Sequence, residues 1–285
     1  MKSFVFRKKA MNILMIGLTG LCTLMTGAIL FFILGYLVSR GASSLNWAFF
    51  TKLPAPVGEI GGGMANAIVG SGKVLLLATL IGVPIGFLGG VYLNEYAGAT
   101  MAFVIRYATD LLNGVPSIVI GIVVYALVVH PMGHFSTFAG GVALGIMMIP
   151  ISVRSTEEFL HAVPMSLREA AIALGASKWK AIVTVIIPAA IRGIVTGTML
   201  DFARVAGETA PLLFTALGNQ FWSPGWNHET ATLPFVVYTY ALSAYQDWHR
   251  QAWAAGFVLL MLVLGINVTA RLILSRGSYR PSGGA

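Results

Sequence analysis

Six long apolar runs, separated by short polar stretches, set the pattern of this 285-residue chain. They cover about 11–38, 67–92, 102–129, 138–153, 181–217 and 252–274. A helix needs ~20 apolar residues to cross a bilayer, where every backbone group has to bond within its own segment. The runs therefore predict an all-α, polytopic membrane protein with about six transmembrane helices. The first is too long for the apolar core of a cleaved leader and reads as a retained span behind a basic start. The fifth exceeds one crossing, so Pro188 is expected to divide an inner-face piece from the true span. Pro84 and Gly86 are expected to interrupt the second. A shorter apolar stretch, 233–244, points to an interfacial or re-entrant segment.

Between the runs, 39–66 reads as a loop in which Trp47, Phe49 and Phe50 suit an interfacial anchor and Gly61-Gly62-Gly63 a flexible turn. The turn from His130 to His134 offers two histidines but too few ligands for a metal, so they read as solvated turn residues. Residues 218–250 form the largest outer region, with Trp222, Trp226 and Trp248. The expected organisation is an N-terminal segment and first helix at 1–40, a periplasmic loop at 41–66, a membrane core at 67–276 with an inner loop at 154–180, and a tail at 277–285.

Composition supports the membrane reading. The chain is 57% hydrophobic and 10% charged, against about a quarter charged in soluble domains. The net charge of +8 sits mostly at the ends of apolar runs, which argues for orientation and against a nucleic-acid partner. Lys2, Arg7, Lys8, Lys9, then Arg154, Arg168, Lys178, Lys180, then Arg271, Arg276 and Arg280 outweigh Arg40, Lys52 and Arg250 on the other side. The positive-inside rule thus places both ends and the 154–180 loop in the cytoplasm. The single cysteine, Cys22, lies in the first run and allows neither an intrachain disulfide nor a cysteine metal site.

The inner loop contains the stretch with most to say. In 164–177, Ser166 and Glu169 have the spacing of a reciprocal capping box, Gly175 is a stop, and Ser177 caps a second helix that begins Lys-Trp-Lys. Ala170, Ala171 and Ala173 would let another protein approach the backbone closely, while Glu169 could meet a basic group. Taken alone, the stretch is equally a capped interfacial helix.

Charges also fall inside the spans. Asp201, Arg204 and Glu208 are spaced by three and four, which predicts one helical face on which Arg204 pairs with either carboxylate. A mid-bilayer charge costs ~2.5 kcal/mol or more, so such residues face a bundle interior or an aqueous path. They could form a structural ion pair, or Arg204 could offer its planar fork to an oxyanion while Glu208 holds it when empty. Arg106 and Asp110 are expected to pair at i, i+4 near the inner interface. Pro116 frees backbone groups in the third span, where Asn113 and Ser117 either line a polar path or bond to neighbouring helices.

Two motifs carry a resemblance. Glu169-Ala170-Ala171, Gly175 and Val185-Ile186-Ile187-Pro188 resemble the coupling loop of permease subunits in binding-protein-dependent ABC importers, with Ile187 where that family has Leu. The stretch from Asn113 through Gly-Val-Pro-Ser to Val119, and that from Arg204 to Thr215, are similar to the A-type membrane subunits of the phosphate-specific importer. The resemblance implies a MetI-like permease fold in a bacterial inner membrane, with Ser166, Glu169, Ala170, Ala171 and Gly175 docking on an ATPase. It implies phosphate passage at Arg204 and Glu208, a path to which the residue reading adds Asp201, Asn113 and Ser117. The implied partners are a second permease, two ATPase subunits, an external phosphate-binding protein and membrane lipid. No phosphate-binding loop occurs in the chain, so ATP and Mg would be held by the partner ATPase and this subunit would be non-catalytic. The alternatives are a permease for sulfate, molybdate or phosphonate, an ion-coupled carrier, or an intramembrane hydrolase, which lacks a convincing catalytic set.

Overall fold

The structure, a computed structural model, describes residues 2–56 and 58–276. Helix α1, Lys2–Ala42, is followed by the short α2, Trp47–Thr51, and by α3, Ala65–Glu95. The third run is broken into α4, Ala99–Gly114, and α5, Ser117–Val124, which a π turn extends into α6, His130–Met132. Then come α7, Thr137–His161, α8, Met165–Ala173, and α9, Lys178–Ala181, which a second π turn joins to α10, Ile187–Ala206. The short α11, Ala210–Leu213, and α12, Leu233–Ala241, precede α13, Gln246–Arg276. Among the described residues there are five helices long and apolar enough to cross a membrane, or six if the bent 99–132 segment is one span. The tail at 277–285, with Arg280, lies outside the described residues.

The core is built on α3 against α7. Glycines at 82, 86 and 90 recur every four residues, so they fall on one face of α3. A Cβ added at Gly82 or Gly90 would stand 2.5 Å from the Cβ of Met148 or Thr156, and one at Gly86 would collide with Ser152. Small residues are what let membrane helices approach this closely. The sequence reading of Pro84 and Gly86 as an interruption is therefore corrected. Helix α3 runs unbroken through Pro84, and Gly86 serves contact with α7. Around this pair, Val74, Ala78, Ile120, Val124, Leu144, Met148, Phe202, Val205 and Leu212 form one buried cluster.

Three further expectations change. The third run is not one straight span but bends by 99° at Val115 and Pro116, both extended. Proline disfavours the helical conformation in the residue before it, which accounts for the break. By contrast, Pro188 does not divide the fifth run, because the π turn at Ile182–Ile186 leads directly into α10. That run ends early, at Ala206, so its helical length suits a single crossing. In the outer loop, Asn46 caps α2 by accepting from Phe49 N at 2.8 Å. Trp47 and Phe50 are exposed there, but Phe49 is buried and is not an anchor. Helix α1 packs on α13 near its end, with Tyr36 edge-on to Trp253 at 5.2 Å, and its apolar stretch is otherwise open.

Candidate functional site

The end of α10 separates the three charges that sequence spacing places together. Asp201 is buried and accepts from Ser152 Oγ of α7 at 3.4 Å. Arg204, three residues on, is exposed and within salt-bridge distance of neither Asp201 nor Glu208. The helix stops at Ala206 with Gly207 as its cap, so Glu208 leaves the helical face and lies half-buried in the turn before α11. The expected pairing of Arg204, and its restraint by Glu208, are thus not seen. The physical reason is that i, i+4 geometry requires a helix continuing to Glu208. What results is an exposed guanidinium with its planar fork of donors unoccupied by this chain's carboxylates.

Asn113 and Ser117 flank the break between α4 and α5. Asn113 is exposed, Ser117 half-buried, and neither side chain bonds to another helix of the chain. Helix α5 packs directly on α11, since a Cβ on Gly121 would stand 2.7 Å from Pro211 Cα. Val115, Ile120, Phe202, Val205 and Leu212 pack in the same core. The structure thereby joins the elements that carry Asn113 and Ser117 to those that carry Arg204 and Glu208. It shows no direct contact among the four side chains.

A cluster of charges that sequence spacing misassigned lies between α4 and α7. Arg106 pairs with Glu157 at 2.6 Å and Asp110 with Arg154 at 2.6 Å, instead of with each other. Arg154 holds Asp110 through both oxygens, at 2.6 and 2.8 Å, and comes within 3.9 Å of Glu157. Bidentate guanidinium–carboxylate geometry across two helices is stronger than the single contact available along one. Glu157 is the buried member, with its side chain 10% exposed. Nothing in local spacing pointed to it.

On the inner loop, α8 begins at Met165 behind Pro164, and no side chain caps it. Ser166 is already helical, so the expected capping box with Glu169 does not form. Gly175 has a φ of +82°, a conformation that a side chain disfavours, and it is the stop expected. Ser177 caps α9, accepting from Lys180 N at 3.5 Å. Glu169, Ala170 and Ala173 are exposed, but Ala171 is buried and is not part of an approachable surface. The exposed face also carries Leu174, Ile172 and Met165, which the motif did not single out. The partner of Arg168 is Glu95, at the far end of α3.

Known proteins resemble this arrangement. The family model for "Binding-protein-dependent transport system inner membrane component" matches residues 82–276. The protein named phosphate transport system permease protein PstA in Yersinia pestis is 45% identical over 251 residues, 88% of this chain and 85% of that one. Its namesake in Haemophilus influenzae is 45% identical over 267 residues, covering 93% and 94%, and that of Mycobacterium leprae 35% over 259, covering 89% and 85%. Among solved structures, a chain of the inward-facing MetNI methionine ABC transporter aligns with a TM-score of 0.59 at 20% identity, over 76% of this chain and 98% of that chain. A chain of a bacterial ABC transporter involved in the import of alginate aligns at 0.56 and 13%, over 75% and 80%. Those two likenesses show the MetI-like fold.

Proposed function

This chain belongs to the family of binding-protein-dependent transport system inner membrane components, and we propose that it is the membrane-spanning subunit of an ATP-driven importer of inorganic phosphate. The observation that carries the substrate is the identity of 43–45% over most of the chain to relatives named as phosphate permeases. The exposed Arg204 agrees with it. A guanidinium presents parallel N–H donors that match two oxygens of a phosphate. With Asp201 turned to Ser152, no carboxylate among the described residues lies within salt-bridge distance of that fork.

In this reading the subunit hydrolyses nothing. It forms half of the path, with a related second permease supplying the other half, and an external phosphate-binding protein delivers the anion. ATP and Mg are held by two ATPase subunits docked on α8 of each permease, at Glu169 and Ala170. Both chain ends and α8 face the cytoplasm. Closure of the ATPases draws the two docking helices together, and the spans re-tilt. Phosphate released on the outside then meets Arg204, with Glu208, Asn113 and Ser117 along the path. Asp201 acts from behind, holding α10 on α7.

The substitution Arg204→Gln tests the substrate link, because it keeps an exposed polar side chain of similar length and removes only the charge and fork. Phosphate uptake by the assembled importer is expected to fall at least about a hundredfold, with the other subunits still copurifying. Undiminished uptake would contradict the role given to Arg204.

A further inference from the structure

Helix α8 is scarcely held by apolar packing. Only Ala171 of it is buried, and Leu174 is 90% exposed. Behind it opens a cavity of about 670 Å³, with Val163, Ile182 and Ile186 on its apolar side and Glu95, Arg168 and Lys178 on its polar side. Charge spans this gap. Arg168 pairs through Nη1 with Glu95, the last residue of α3, and donates through Nη2 to Leu160 O of α7 at 2.8 Å. One guanidinium therefore grips the ends of both central helices. Asn94 Nδ2 donates to the same Glu95 oxygen at 2.7 Å. Lys178, opening α9, donates to the Glu95 backbone oxygen and stands 4.6 Å over the Tyr96 ring. The paired side chains are 5% and 15% exposed, so water and salt screen them weakly.

We propose that the Glu95–Arg168 pair is the strut that carries displacement of α8 into the spans, which makes both residues positioning residues for transport. A helix resting over an open cavity could shift or tilt without moving its neighbours. A buried, multiply bonded ion pair has a fixed geometry that is either kept or lost, so a pull on α8 reaches Glu95 undiminished. Because α3 is locked to α7 through its glycine face, the displacement passes to α7, and from Ser152 to Asp201 on the helix of Arg204. The proposal rests on the docking of an ATPase on α8, argued above.

The test uses the full chain assembled with its ATPase and second permease in liposomes. It reads ATPase retention, ATP hydrolysis and phosphate taken up per ATP. Glu95→Gln is expected to keep retention and to keep hydrolysis within about twofold, while uptake per ATP falls at least about tenfold. The exchange of Glu95→Arg with Arg168→Glu is expected to recover at least about a third of that loss. A purely structural pair would lower retention and hydrolysis together and leave uptake per ATP unchanged, and that result overturns the strut. Should Glu95→Gln fail to assemble, Arg168→Gln decides, because it removes the charge facing Glu95 and keeps a polar side chain there. Unchanged uptake per ATP in that variant overturns the strut as well. A parent chain that retains no ATPase overturns the docking reading and the strut with it, whereas retention with an unaffected Glu95→Gln overturns the strut alone.

Discussion

Asp201 and Arg204 lie three residues apart on one helix and meet different surroundings, which shows how tertiary contact overrides local spacing. A serine on α7 captures the carboxylate, and the guanidinium is left outward. The same competition decides Arg106 and Asp110, whose partners lie 51 and 44 residues away on α7. Their energies should differ with burial. Glu157→Gln removes the charge between two guanidiniums at a side chain 10% exposed, and is expected to cost about 1–3 kcal/mol. Asp110→Asn acts at a side chain 54% exposed and is expected to cost about 0–1 kcal/mol. Thermal unfolding of the purified protein in detergent would rank them, and equal shifts would deny Glu157 its special place. The sequence revealed that charges occur within these spans. It could not reveal which pair, because both helices offer acids and bases at compatible heights.

At the scale of elements, the apolar runs were legible because bilayer thickness fixes helix length. What joins the helices was not. Gly86 was read, with Pro84, as an interruption of α3, while the role of Gly82, Gly86 and Gly90 is to admit α7. Gly86→Leu is accordingly expected to destabilise by more than about 3 kcal/mol or to prevent assembly, as overpacking at a close helix crossing does. Gly72→Leu on the same helix, with nothing within 4 Å of an added Cβ, is expected to change stability by less than about 0.5 kcal/mol. Comparable yields and melting temperatures for the two would contradict the crossing described. For α8, the stop at Gly175 was readable because a positive φ strongly favours glycine, but its start was not, because Pro164 supplied the first turn that Ser166 was expected to cap. Glu169→Lys reverses an exposed charge that has no partner among the described residues. It is expected to leave the melting temperature unchanged and to reduce ATPase copurification several-fold. Undiminished copurification would place docking elsewhere on the chain.

For the whole molecule, an interior held by α3, α7 and α10 contrasts with α1 and α13, whose most apolar windows bury nothing within this chain. Such faces suit contact with lipid or with a partner subunit. The orientation rule gave an expected sidedness, and the two motifs gave the likeness that the relatives bear out. The 99° break at Val115 and Pro116, and its packing beside α11, needed three dimensions, because a proline in an apolar run can equally leave the helix unbroken, as Pro84 does. The central claim is that this chain supplies a phosphate path and no energy of its own. It is tested most directly by phosphate uptake into liposomes that contain the chain either alone or with its second permease, ATPase and binding protein. The account predicts ATP-dependent uptake by the full assembly and none by the chain alone under any proton gradient. Gradient-driven uptake by the chain alone would contradict it.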